Sequence, residues 1–189
     1  MAKASISIII VCWLVFLIYW LISALAVKRT AERKSWRSSL AYRVPVILGA
    51  ILLWKRELPY PLNLALTPHT DWAQAAGAAV CVSGLFVTIW ARRTLAGNWS
   101  SDVTLKQGHE LVKTGPYRFV RHPIYTGMLL MGLGMAVETA RLRCWLGLLL
   151  WGIGLWIKLK QEEALMLRHF PDEYPGYQKQ TKALVPFVI

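Results

Sequence analysis

Five apolar runs, separated by charged or turn-forming stretches, set the pattern of this chain. Ile6–Val27 has 22 residues without a charge, enough to cross a bilayer core as one helix. It lacks a small-residue cleavage site and continues directly into "KRTAERKSWR", so it reads as a retained helix and not as a signal peptide. Tyr42–Leu53 is short and contains Pro45; it is expected to extend both ways, with Arg43, Lys55 and Arg56 snorkelling to the interfaces. Trp72–Trp90 is long enough to span. Ile124–Val137 and Cys144–Ile157 hold 14 residues each, joined by the short charged link "ETARLR", which predicts a tight helical hairpin. The pattern predicts an all-α polytopic membrane protein with five transmembrane helices. Helices 1 and 2 fall in residues 1–71. Helices 3 to 5 fall in 72–189, with a long polar connection and a C-terminal helical subdomain.

Composition agrees with a membrane protein. Of 189 residues, 56% are hydrophobic and 17% charged, with a mean hydropathy of +0.40. A formal charge of +12 would suggest nucleic acid if it covered a polar surface. Here the basic residues fall in blocks between apolar runs, and that is a topology signal. With five crossings, 17 of the 22 Lys and Arg share one side. The N-terminus is then expected outside, and the connection and C-terminus in the cytoplasm. Cys12, Cys81 and Cys144 each lie inside an apolar run and read as small buried hydrophobes, not as a disulfide or zinc framework.

The densest polar chemistry stands at the mouth of the fourth run, in "TGPYRFVRHPIYTGMLL" from Thr114 to Leu130. Gly115–Pro116 is a turn signal. Pro123 biases His122 away from helix and suits the first turn of the next one. His122 and Tyr125 would then lie at a helix N-terminus, where backbone N–H groups favour an anion such as a carboxylate. Fourteen residues rise only about 21 Å, against a hydrocarbon core of roughly 30 Å. Nothing in "KLKQEEALMLRHF" stops the fifth helix before Pro171. Lys158 and Glu162, four residues apart, would share one face just past its apolar part.

The segment "GHELVKTGPYRFVRHPIYTG", followed by "EEALMLRHFPDEYPGYQKQTKALVPF", resembles the isoprenylcysteine carboxyl methyltransferase family and the related phospholipid N-methyltransferases. The resemblance covers roughly Trp99 to the C-terminus. It implies an integral membrane enzyme that moves a methyl group from S-adenosyl-L-methionine to a lipophilic acceptor entering from the bilayer. The acceptor would be the carboxylate of a prenylated cysteine or similar, or alternatively a phospholipid amine. The resemblance further implies cofactor binding by His109, Glu110, Leu111 and Val112, by Tyr117, by His122, Pro123, Ile124 and Tyr125, and by Glu162. Lys158 stands where the family has an arginine that handles the acceptor carboxylate; it keeps the charge and loses the bidentate fork. Lys158, Tyr125 and Arg121 are taken as the residues acting in transfer. Methyl transfer from a sulfonium is an in-line displacement that needs alignment more than proton transfer, and a tyrosine face can meet the sulfonium by a cation–π contact.

Other classes fit less well. Gly132-x-Gly134 and Gly152-x-Gly154 lack the third glycine and the preceding strand of a dinucleotide fold; helix–helix approach is their better account. Membrane sterol reductases, which use NADPH, have Asn where Pro123 stands. No two of His109, His122 and Glu162 have the i,i+4 spacing of a helical ligand pair, so no metal site is expected. A transporter would carry ionisable groups inside its apolar runs, and these runs have almost none.

Overall fold

The computed structural model describes residues 2–25, 30–33, 36–67, 70–100, 103–106, 108, 110–186 and 188. Five long helices stand where the apolar runs predict them: α1 (Ala2–Ala24), α2 (Trp36–Trp54), α3 (Asp71–Leu95), α4 (Pro123–Thr139) and α5 (Leu142–His169); a short α6 (Tyr174–Gln180) follows. Among the described residues, three of these helices are long and apolar enough to cross a membrane: α1, α3 and α5. The apolar part of α2, Ser38–Trp54, is shorter, and the 17 residues of α4 rise about 26 Å. Pro45 sits inside α2, as membrane helices tolerate.

One element departs from the all-α expectation. Strands β1 (Thr30–Arg33) and β2 (Thr104–Lys106) pair antiparallel, Thr30 opposite Lys106 and Arg33 opposite Thr104, with an irregularity between Thr30 and Glu32. They tie the connection after α1 to the connection after α3, and neither carries the apolar alternation that marks a strand in sequence.

The helices pack as two antiparallel pairs, α3 with α4 and α2 with α5, and α1 lies against α3. Each pair meets through glycines seven residues apart, which return to one helix face. A Cβ on Gly84 would stand 2.6 Å from the Gly127 carbonyl oxygen, and one on Gly77 2.7 Å from that of Gly134. In the other pair a Cβ on Gly49 would stand 2.6 Å from the Gly147 carbonyl oxygen, and one on Gly154 2.6 Å from Val46 Cγ2. Backbones in contact are how membrane helices gain packing energy without a hydrophobic driving force. The glycine pairs singled out in the sequence are only half right. Gly134 and Gly154 make these contacts, whereas a Cβ on Gly132 would lie 3.1 Å from the Leu148 side chain and one on Gly152 would meet nothing outside its own helix closer than Leu129 Cδ2 at 3.7 Å.

Two buried arginines close helix ends. Arg143 donates to the Leu52 and Leu53 carbonyls at 3.0 and 2.9 Å and to Asn63 Oδ1 at 3.1 Å, satisfying the C-terminus of α2. Arg92 donates to the Ser23 carbonyl at the end of α1 and to the Ala96 carbonyl, both at 2.7 Å, and stacks on Trp99 at 4.6 Å. An aromatic series joins Trp99 to the core: Trp20 is 5.5 Å from it, Phe16 4.6 Å from Trp20, and Trp13 5.6 Å from Phe16 and 5.3 Å from Trp151.

Candidate functional site

A cleft with about 860 Å³ of empty space, part of it open to solvent, lies where the start of α4, the polar half of α5, α6 and the connection after α3 meet. Its position follows from local sequence. Gly115 takes a left-handed φ of +59°, which a residue with a Cβ adopts only with strain, and Pro116 opens a single 3₁₀ turn over Gly115–Arg118. Pro123 then occupies the first turn of α4, with His122 as its N-cap residue.

The segment before α4 is held from outside its own sequence. The backbone N–H groups of Arg121 and His122 donate to the Lys182 and Ala183 carbonyls at 2.8 and 3.0 Å, and Val120 forms a parallel bridge with Lys182. Thr126 Oγ1 donates to the Leu184 carbonyl at 2.6 Å, and the Tyr177 hydroxyl to the Tyr117 carbonyl at 2.6 Å. The chain after α6 thus straps the Arg-His-Pro turn in place. First-turn N–H groups left for an anion are those of Ile124 and Tyr125, which have no acceptor inside the helix.

Charges converge on the two glutamates of α5. The Tyr125 hydroxyl donates to Glu162 Oε1 at 2.7 Å, and His122 Nδ1 lies 3.6 Å from Glu162 Oε2. The His122 and Tyr125 rings are parallel, 5.5 Å between centroids. Lys158 Nζ is 3.8 Å from Glu162 Oε1. Glu163 is paired by Arg121 Nε at 2.7 Å and accepts from Gln178 Nε2 at 3.2 Å. Burial first, and the Glu162 carboxylate second, push the Tyr117 phenol well above its ordinary range. Burial pushes Tyr174 up as well, and Tyr177 to about 12. At neutral pH these phenols are uncharged ring faces and hydrogen-bond donors, not phenolate bases.

The sequence-derived residues divide among several places. Glu110, Leu111, Val112 and Tyr117 line the cleft from the connection; Arg121, His122, Ile124 and Tyr125 line it from the start of α4, and Glu162 from α5. Pro123 is fully buried beneath them. Lys158 lies behind Tyr125, outside the lining. His109 lies outside the described residues. Arg121 lines the cleft, but its guanidinium donates to Glu163 and to the Gln178 and Thr181 carbonyls. Glu163, Tyr177 and Trp99 went unassigned in the sequence. The signals were the second glutamate of Glu162–Glu163 and the i,i+3 spacing of Tyr174 and Tyr177, which puts both rings on one side of α6.

The sequence model of the phospholipid methyltransferase family matches residues 72–173, which hold the cleft except for α6 and the strap. The chain belongs to this family. Among curated proteins it is similar to the nickel-cobalt-cadmium resistance protein NccN of Alcaligenes xylosoxydans xylosoxydans, 29% identical over 71% of this chain and 63% of that protein. It is also similar to protein-S-isoprenylcysteine O-methyltransferase of Tribolium castaneum, 27% identical over 62% of this chain and 43% of that protein. The chain therefore spans about half the length of such curated relatives. Among solved structures it shares the fold of a eukaryotic intramembrane Ras methyltransferase, isoprenylcysteine carboxyl methyltransferase. The TM-score is 0.54 at 24% identity, covering 84% of this chain and 55% of that one. Family membership rests on the segment that forms the cleft floor, and the fold likeness extends over most of the helices.

Proposed function

We propose that the chain is an integral membrane methyltransferase that uses S-adenosyl-L-methionine and methylates a lipophilic acceptor, namely the carboxylate of a prenylated cysteine or a similar group. The observation that carries this reading is the chemistry of the cleft. The Glu162 carboxylate stands with the Tyr125 hydroxyl and His122 ring at a helix start, and the rest of the lining mixes aromatic and apolar side chains with the polar groups of Asn98, Ser100, Thr104, Glu110 and Arg121. His122 is tied to both glutamates, its Nδ1 lying 3.6 Å from Glu162 Oε2 and its buried Nε2 3.5 Å from Glu163 Oε1, so its ring is held at the cleft wall.

When bound, the cofactor supplies the methyl group on a sulfonium and leaves as a neutral thioether. In this reading Glu162 holds its amino group, and the N–H groups of Ile124 and Tyr125 receive its carboxylate. The faces of Tyr117 and Tyr125 stabilise the sulfonium by cation–π attraction. Glu110, Leu111 and Val112, with His109, hold the nucleoside end. A carboxylate acceptor, ionised near pH 7, would take the methyl group without giving up a proton, so the site would need no base for it. Lys158 faces the acceptor and neutralises its charge until transfer. Arg121 serves by holding the strap, through Glu163 and the carbonyls after Tyr177.

The family description favours a second acceptor, the amine of a phospholipid. That acceptor would need a base, for which His122 is in place. One assay decides. Purified protein receives radiolabelled S-adenosylmethionine with N-acetyl-S-farnesylcysteine or phosphatidylethanolamine. Label released by mild base reports a carboxyl ester and supports the first acceptor; base-stable label in the phospholipid supports the second. Absence of both transfer and S-adenosylhomocysteine binding would overturn the methyltransferase reading.

A further inference from the structure

The acceptor side of the site includes a residue from the half of the chain that the family match does not reach. Helix α2 runs antiparallel to α5 in a fixed register. Ser38 Oγ donates to Gln161 Oε1 at 2.9 Å, and Gln161 Nε2 donates back to the Ser38 carbonyl at 3.1 Å. A Cβ on Gly154 would meet Val46 Cγ2 at 2.6 Å and the Tyr42 carbonyl oxygen at 2.8 Å. Between these contacts Tyr42, 4% exposed, faces Lys158. Its ring centroid is 5.7 Å from Lys158 Nζ, and that of Tyr125 is 5.4 Å from the same atom. Both are within cation–π range. Tyr42 also packs with Leu165 and Met166, two residues of the cleft wall.

A lysine ammonium sits on a flexible stem and has no planar fork to fix its direction. Near membrane depth it also needs partners. Two ring faces and the Glu162 carboxylate at 3.8 Å surround Nζ here and restrict where it can point. We infer that Tyr42 is a positioning residue for the acceptor: its ring and that of Tyr125 hold the Lys158 ammonium beside the cleft, behind Tyr125. This rests on the methyl-transfer reading above and adds to it that acceptor choice is shared with α2. The residues proposed above for the cofactor all fall within the matched segment 72–173 and none on α2, so acceptor preference can change through α2 without touching them.

The test uses the full chain in detergent, with whichever of N-acetyl-S-farnesylcysteine and phosphatidylethanolamine the wild type methylates. Tyr42→Leu should raise the acceptor KM by about threefold to tenfold, the range of a partly desolvated cation–π contact, with the Kd for S-adenosylhomocysteine within twofold of wild type. Tyr42→Phe keeps the ring and should restore the KM. In the Lys158→Met background Tyr42→Leu should add nothing, because the cation it positions is gone. If Tyr42→Leu does not fold, Tyr42→Met, which fills the same space without a ring, gives the same comparison. An equal KM rise in both backgrounds, a cofactor Kd that moves with Tyr42, or a flat KM in active enzyme would overturn the inference and leave the methyltransferase reading standing. A wild type that neither binds S-adenosylhomocysteine nor transfers a methyl group would overturn both.

Discussion

Arg121 and Glu163 form a buried ion pair, Nε to Oε1 at 2.7 Å with side chains 9% and 5% exposed, and it joins the turn before α4 to the polar half of α5. Removing one member of such a pair strands the other, at a cost of about 3–5 kcal/mol. Arg121→Met and Glu163→Met should each lower the unfolding midpoint of the detergent-solubilised protein strongly. The double substitution should cost less than the sum of the two, since neither charge is left alone. Additive losses would mean that the two residues act independently.

In the proposed methyl transfer Glu162 and Lys158 separate by ligand, the first serving the cofactor and the second the acceptor. Glu162→Gln removes a charge at nearly constant shape and should weaken S-adenosylhomocysteine binding by about 1.5–3 kcal/mol, the range for a hydrogen bond to a charged group. Lys158→Met keeps most of the apolar stem. Calorimetry should find its cofactor affinity unchanged, and kinetics should find a raised acceptor KM or lowered turnover. Equal weakening of the cofactor by both would put Lys158 in the cofactor half-site.

The glycines give a stability contrast. Gly84→Ala forces a methyl group against the Gly127 carbonyl and the Met131 N–H, at 2.6 and 2.7 Å. Backbone must move, and about 1–3 kcal/mol should be lost. Gly152→Ala meets nothing closer than 3.7 Å and should change stability by about 0.5 kcal/mol or less. Thermal melts of the two variants in one detergent make the comparison. Equal melts would deny that α3 and α4 are in backbone contact.

The five crossings and the cytoplasmic cleft expected from the charge pattern make a prediction for labelling. Cys12, Cys81 and Cys144 are buried, so a single introduced cysteine reports its own side. Thr30→Cys should react with an impermeant thiol reagent only from the cytoplasmic side, and Glu57→Cys only from outside. Reaction of both from one face would remove the five-crossing arrangement.

The helices were legible because apolar runs without charges have few other fates in a chain this hydrophobic. Pro123 marked the start of α4, and the lack of any breaker before Pro171 marked the length of α5. The strap was not legible. Arg121 and His122 bond to the carbonyls of residues 182 and 183, and a carbonyl carries no side-chain signature. Glu163 was hidden beside Glu162 for a related reason. Adjacent helical residues point about 100° apart, so one faces the cleft and its neighbour the strap, and sequence alone does not say which. Pairing of β1 with β2 joins two polar segments that lack strand periodicity.

The strap also fixes an order of manufacture. Residues 181–184 are synthesised some sixty positions after the turn they hold, close behind the end of α5. Contacts such as Gly84 with Gly127 can close before the strap is made. The Arg-His-Pro turn cannot settle then, because the carbonyls that receive its N–H groups do not yet exist. A chain that ends before Tyr177 and is released from the ribosome would keep the segments of all five long helices and lack the strap. With the cofactor site proposed above, a resin carrying S-adenosylhomocysteine would retain chains that have the strap and pass those that lack it.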